Sequence, residues 1–369
     1  VSSHEPVDTT PEASGAPAAG AKPGRPPRLE PSDWAYALKR ALKEFSAASG
    51  IDLSAMLTHF TVLSLAPVLL AIFSVVSLIL TSKAATLTSL VADLTTLYVP
   101  VDYQRPVADL VTMITGSASG SAIALTIAVA TGLWSSFGYV TAFSRCMNTM
   151  YGREEGRGLL RHTGTMLLVS LAMLAGVVLI LVSLALNQPI VSGLLGPIAE
   201  PLGLGRLLDF LLTTFLPVWA WAKWVVVLAL MTTLVTLLYY FTPNVRRPRF
   251  TWISPGSVIA VLGIAVAGLL LWTYLTRFAR YSLYGAIGAV IGLVFALWLV
   301  NTVLLVGAEV DAEVERAREL VSGIAAEEHI QLPPRSTVRV AKMQESRDRL
   351  ASTGRERRLS RTEQRVHRR

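Results

Sequence analysis

Apolar residues in this chain gather in long runs divided by short polar and proline-bearing segments, rather than alternating as in a half-buried strand. Six runs reach or approach the roughly 20 residues that a helix needs to cross a bilayer. They are Met56–Leu80, Ile123–Met147, Thr165–Leu186, Val218–Phe241, Ser257–Trp272 with an extension to Phe278, and Leu283–Val306. The fold class this predicts is all-α, a polytopic membrane helical bundle of about six transmembrane helices. Composition agrees: hydrophobic residues make up 52% of the chain and charged residues 16%, against roughly 25% charged in a soluble domain.

The break between the fourth and fifth runs is the most constrained. Tyr239–Gly256 reads YYFTPNVRRPRFTWISPG, with three prolines, three arginines and Trp252. Proline lacks the N–H that a continuing helix needs, and arginine resists hydrocarbon, so a membrane helix must end here. Pro243 and Asn244 read as a rigid elbow, with Arg246 and Arg247 holding it at the headgroups. Upstream, Pro31-Ser32-Asp33 starts a helix with Trp34, Leu38, Ala41, Leu42 and Phe45 at helical spacing and Lys39, Arg40 and Lys43 elsewhere. Such a helix either lies in the membrane interface or packs beneath the bundle. After the first run, Leu87, Leu90, Val91, Leu94, Leu97 and Tyr98 form one apolar stripe and Val107, Leu110, Val111 and Ile114 another, parted by Pro100 and Pro106. Two short helices are expected there on the opposite face, capping the bundle or gating a cavity.

Three regions follow: a disordered N-terminal tail over 1–31, a membrane domain over 32–320, and a basic disordered tail over 321–369. With both ends on one side, segments 1–55, 150–162, 242–256 and 309–369 share that side and hold 26 Lys and Arg, while the opposite loops hold 5. The positive-inside rule then puts both termini in the cytoplasm. The N-terminal thirty residues lack a signal-peptide core, so the first run is expected to act as an uncleaved insertion signal. Residues 335–369 carry 12 Lys and Arg against 4 Asp and Glu. That excess attracts anionic lipid headgroups. Nucleic acid fits less well, because no folded nucleic-acid module accompanies the tail.

Four stretches stand out as motifs: LSLAPVLL (Leu63–Leu70), LWSSFGYVTAFSRCMNTMYG (Leu133–Gly152), the YYFTPNV and WISPG pieces of the elbow, and LYGAIGAVIGLVFALWLVNTVLLVGAEVDAE (Leu283–Glu313). Together they resemble the YihY/BrkB family of bacterial inner-membrane proteins over residues 34–320. IQLPPR (Ile330–Arg335) is similar to the tails of actinobacterial members. His59-Phe60 departs from the pattern, since many relatives have a small residue followed by tyrosine. The resemblance implies about six spans and location in the bacterial cytoplasmic membrane. The family's names carry a virulence-factor and an older ribonuclease label, and some members are linked to envelope lipid or lipopolysaccharide handling.

No residue pattern supports catalysis. Phosphodiester hydrolysis needs an acid, a base or a clustered metal site; the histidines His4, His59, His162, His329 and His367 are scattered, and no HxH or HExxH occurs. Glu309, Asp311, Glu313 and Glu315 read as a solvated helix end, and Glu309 as a partner for Arg145 or Arg246. No cofactor and no metal ligand set are expected, and the lone Cys146 rules out an internal disulfide. Candidate headgroup or substrate contacts are Arg145 and Asn148, on one face near the inner end of the second run, and His59 in the first. Lys223 with Trp219 and Trp224 reads as an outer-interface anchor. Gly285, Gly288 and Gly292 read as close helix packing. The function expected is transport or export of an amphiphilic envelope compound such as a lipid, without enzymatic chemistry. The rival is a membrane scaffold with a basic partner-binding tail. Expected partners are anionic membrane lipids, with room for a homo-oligomer, and no specific nucleic acid.

Overall fold

The computed structural model describes residues 28–80, 118–188, 203–247, 252–277 and 285–366, with isolated positions at 104, 191, 192 and 199. The N-terminal tail to residue 27, both apolar stripes over 87–114, Pro248 and Arg249 lie outside the described residues. The elements are α1 (Pro31–Ala47), α2 (Gly50–Leu80), α3 (Ala118–Met150), α4 (Leu159–Ala185), α5 (Gly205–Phe210), α6 (Leu216–Phe241), α7 (Pro255–Arg277), α8 (Gly285–Val321) and α9 (Val338–Val366). Among the described residues there is no strand, and Val245 and Pro334 form an isolated antiparallel bridge. The all-α expectation holds.

Among the described residues four stretches are long and apolar enough to cross a membrane: Leu159–Ala185, Gly205–Phe241, Pro255–Arg277 and Val290–Val321, with a shorter apolar stretch at Gly50–Leu65. Only 17–33% of their most apolar windows is buried inside the protein. Leu168, Val225, Leu262, Leu269 and Phe295 stand on the outside. Contiguous exposed apolar surface of this kind belongs against lipid rather than water. The stretch through α5 and α6 is continuous but widens at Leu211–Phe215, where the Leu216 N–H bonds five residues back to Leu211. Pro217 explains the widening, because it cannot donate to the preceding turn and its ring crowds that turn's carbonyl.

The long helices touch in a closed circuit, α2–α3–α4–α6–α7–α8 and back to α2. Tyr139, Phe143 and Tyr239 stack in its interior with successive centroids 6.2 Å apart, and the Tyr239 hydroxyl donates to the Leu304 carbonyl at 2.5 Å. Asn301, 1% exposed, receives the Tyr139 hydroxyl at 3.0 Å and reaches Thr58 and Thr61 at 3.3 and 3.2 Å. This buried polar node ties α3 and α8 to α2. A close crossing joins α7 to α8. A Cβ on Gly256 would sit 1.9 Å from the Gly307 carbonyl oxygen, so the two backbones meet as only glycine permits.

Three expectations change. Residues 338–366 form a 29-residue exposed helix rather than disorder. Arg, Glu, Gln, Leu and Ala favour helix, and the Arg349–Glu345 pair at i,i+4 adds to this. The folded body also continues past residue 320. Ala326, Ile330 and Leu332 are buried, and Arg153 donates to the carbonyls of Ile330 and Leu332 at 2.8 and 2.9 Å. Finally, Glu309, Asp311 and Glu313 are 2%, 3% and 0% exposed, not solvated. Helix α1 lies over this part of α8, packing Ala37 and Ala41 on Val310, Val314 and Ala317 and bringing Arg40 within 3.2 Å of Glu313, while Arg247 and the start of α7 cover Asp311. The expected pairing of Glu309 with Arg145 or Arg246 is absent, and Glu309 Oε2 accepts no hydrogen bond from the described residues. Of the two readings of α1 the structure has the packed one, although Leu38 and Leu42 stay exposed on its outer face.

Candidate functional site

The polar segments after α3, after α6 and after α8 converge at one end of the bundle. Asn148 closes α3 there. Its Oδ1 accepts the Asn244 N–H at 2.7 Å and its Nδ2 donates to Glu155 Oε2 at 3.0 Å. Asn244, 1% exposed, donates from Nδ2 to the carbonyls of Glu154 and Ser336 at 3.0 and 2.9 Å. Its Oδ1 accepts the Ser336 N–H at 3.2 Å. These bonds, together with the fixed backbone angle of buried Pro243, make the elbow rigid. Arg246 is exposed, whereas Arg247 turns inward, donating to the Tyr151 hydroxyl and lying 3.6 Å from Asp311. Asp311 in turn accepts the Gly256 N–H at 2.8 Å, in the first turn of α7. That is where a carboxylate best complements a helix dipole.

Beside the elbow, the seam between α4 and α6 opens into a groove of about 370 Å³. Its floor is Leu168, Val169 and Ala172 from α4 and Leu237 and Phe241 from α6. Its mouth is Arg157, Arg161, Thr165 and Arg335. The volume lies within the range of small-molecule sites, roughly 300–1,000 Å³.

The three arginines are held differently. Arg157, 2% exposed, forks onto Glu155 with its Nε and Nη2 at 2.8 and 2.7 Å. It also donates to the carbonyls of Phe241 and Thr242 at 3.1 and 2.6 Å, satisfying the C-terminal end of α6. Arg335 donates to the carbonyls of Val245 and Tyr240 at 2.9 and 2.5 Å and lies 5.1 Å over the Tyr240 ring. Arg161 sits exposed in the first turn of α4. Glu155 is the nearby counter-charge, bound to Arg157, and no lining residue is acidic.

The titration behaviour follows from this arrangement. Burial works against ionised Glu155, but the hydrogen bonds from Arg157, with His162 Nδ1 3.4 Å away, hold its carboxyl well below the usual range. Burial lowers the pKa of Arg335 from its ordinary value. Tyr240 opposes that shift, while the guanidiniums of Arg157, Arg247 and Arg161 add to it. Mutual repulsion among cations in a partly desolvated groove is relieved by an anion.

The residues singled out from sequence lie elsewhere. Arg145 and His59 are on exposed faces, His59 edge-on to Phe60 at 5.7 Å. The amide of Asn148 is committed to Glu155 and Asn244 rather than open to a ligand. Lys223 lies 5.7 Å over the Trp224 ring, and Trp219 donates to the Ser183 carbonyl at 3.3 Å. Gly285 begins α8, while Gly288 and Gly292 receive Tyr274. Its hydroxyl donates to the Gly288 carbonyl at 3.1 Å, and a Cβ on Gly292 would lie 2.4 Å from its ring. Among the described residues no group of three or more His, Cys, Asp or Glu converges on a metal position. Arg157, Arg161 and Arg335 were not singled out. Helical spacing gave no signal for them, because Arg157 precedes the Gly158 N-cap of α4 and only Arg161 lies in the helix.

Comparison with known proteins agrees with the quoted motifs. The chain is 28% identical over 286 residues to YfkH of Bacillus subtilis, a protein whose name describes it as ribonuclease-like, covering 77% of this chain and 96% of that protein. No solved structure matches it. A family model described as virulence factor BrkB matches residues 41–329, and the chain belongs to that family of membrane-type helical proteins.

Proposed function

We propose that this protein moves or exports an amphiphilic envelope compound, such as a lipid, across the bacterial cytoplasmic membrane. In this reading it has about six spans and both termini in the cytoplasm, and no enzymatic chemistry of its own. The observation that carries the proposal is the groove at the α4–α6 seam, where a mouth of three arginines tops an apolar floor in a helix pair whose outer faces are apolar. A polar head and a hydrocarbon tail meet complementary surfaces there. Arg145, exposed near the same end, is a further headgroup contact at the rim.

The test is reconstitution. Purified full-length protein in proteoliposomes should accelerate transbilayer movement of a labelled lipid, and Ala172→Phe, which fills the groove, should abolish the acceleration. No acceleration across a panel of phospholipids would overturn the proposal.

The scaffold reading has one observation of its own, the exposed basic helix α9. Deleting residues 338–369 separates the two readings. A transporter keeps its activity, whereas a scaffold loses captured partners and never had the activity.

A further inference from the structure

Resting on the reading above that the protein handles amphiphiles, we infer that the α4–α6 groove binds an anionic glycerophospholipid by its phosphate, drawn laterally from the adjoining leaflet. Arg161 and Arg335 are the contacting cations and the Leu168, Ala172 and Leu237 floor receives the start of an acyl chain.

Charge argues for an anion. Arg157 is neutralised by Glu155, so the groove mouth keeps the uncompensated charge of Arg161 and Arg335 with no acidic lining residue. Arg335 is pinned by two backbone carbonyls and a ring and cannot swing away to relieve repulsion. Arg161 is the movable member, exposed and one turn from Thr165, whose hydroxyl is spent on the Arg161 carbonyl at 2.8 Å. Two guanidiniums approaching from two chain segments suit a tetrahedral phosphate, which accepts paired N–H donors on more than one side.

Shape argues for a lipid rather than a free ion. Five of the nine lining residues are apolar, and they run along the seam away from the arginines. Inorganic phosphate would leave that floor against water. A phospholipid covers both parts at once. Leu159 and Leu160, 71% and 92% exposed in the first turn of α4, place the mouth where the apolar belt begins, at headgroup level.

The experiment is equilibrium lipid binding to the full-length protein in uncharged detergent, read by native mass spectrometry. Phosphatidylglycerol is compared with phosphatidylcholine, and inorganic phosphate is the tail-less competitor. The expected result is retention of phosphatidylglycerol over phosphatidylcholine, undiminished by millimolar phosphate. Arg161→Gln should weaken that retention roughly tenfold, the loss of one charge-assisted contact. Ala172→Phe should block it with every charge in place, while Arg206→Gln, exposed at the start of α5 and far from the groove, should leave it unchanged. Equal retention of the two lipids, displacement by phosphate, or equal effects of Arg206→Gln and Arg161→Gln would each overturn the inference. Because binding is read without any bilayer, a protein that binds but fails to move lipid would sink the transport reading and leave this one standing.

Discussion

Asn148 and Asn244, 96 positions apart, meet at 2.7 Å, the side-chain oxygen of the first accepting the backbone N–H of the second. Through that bond the end of α3, the elbow after α6, the Glu154-Glu155 loop and Ser336 become one polar cluster around two buried asparagine side chains. A buried network of this kind is costly to leave half-made.

Asn244→Ala should therefore destabilise the protein by about 2–4 kcal/mol, because it strands the Glu154 and Ser336 carbonyls and the Ser336 N–H. Thermal unfolding in detergent measures this. A melting temperature unchanged by Asn244→Ala would contradict the network.

Stability should fall at acid pH through Glu155. Its folded pKa lies below the ordinary value, so the carboxylate contributes stability above the usual titration range, near about pH 4.3, and loses it as pH falls below. Glu155→Gln should lower the melting temperature at neutral pH and flatten its acid decline. Parallel curves for the two proteins would count against the Arg157–Glu155 pairing.

At the α7–α8 crossing, Gly307→Val should abolish folding or leave a strongly destabilised protein, since a Cβ there would lie 2.4 Å from the Gly256 carbonyl oxygen. Gly268→Ala, in the same α7 but with open space around it, should be neutral or slightly stabilising. Expression and monodispersity of the two variants give the comparison, and indifference to both changes would refute the close approach.

Removing residues 338–369 should leave the melting temperature where it is, because α9 stands exposed. Ending the chain at 328 should lower it by several degrees, since Ile330 and Leu332 leave the core and Arg153 loses two acceptors. Equal effects of the two truncations would restore the domain boundary expected near residue 320.

What was legible in the sequence divides along physical lines. Apolar run length announces membrane-type helices directly, because lipid demands it locally. Tyr239–Gly256 likewise announces its own break, and α6 ends at Phe241 as Pro243 requires. Gly288 and Gly292, one turn apart, could be read as packing from spacing alone. Gly256 and Gly307 could not, since their partnership exists only after α7 and α8 cross. The acidic residues near Glu309 misled for the same reason. On their own helix they point to several faces, but the arginines that bury Asp311 and Glu313 arrive from the elbow and from α1. The groove was hidden most completely, because its three arginines come from a loop, a helix start and a segment beyond the last apolar run.

Arg335 gives this site a chronology. A ribosome releases residues 157 and 161 long before residue 335, so the nascent bundle passes through a period in which the α4–α6 seam carries two cations and lacks its third wall. The mouth closes when the segment through Pro333 and Pro334 lies down on Val245 and Arg246. Completion of the pocket thus reports that α8 has been made and that the residues trailing it have returned to the bundle.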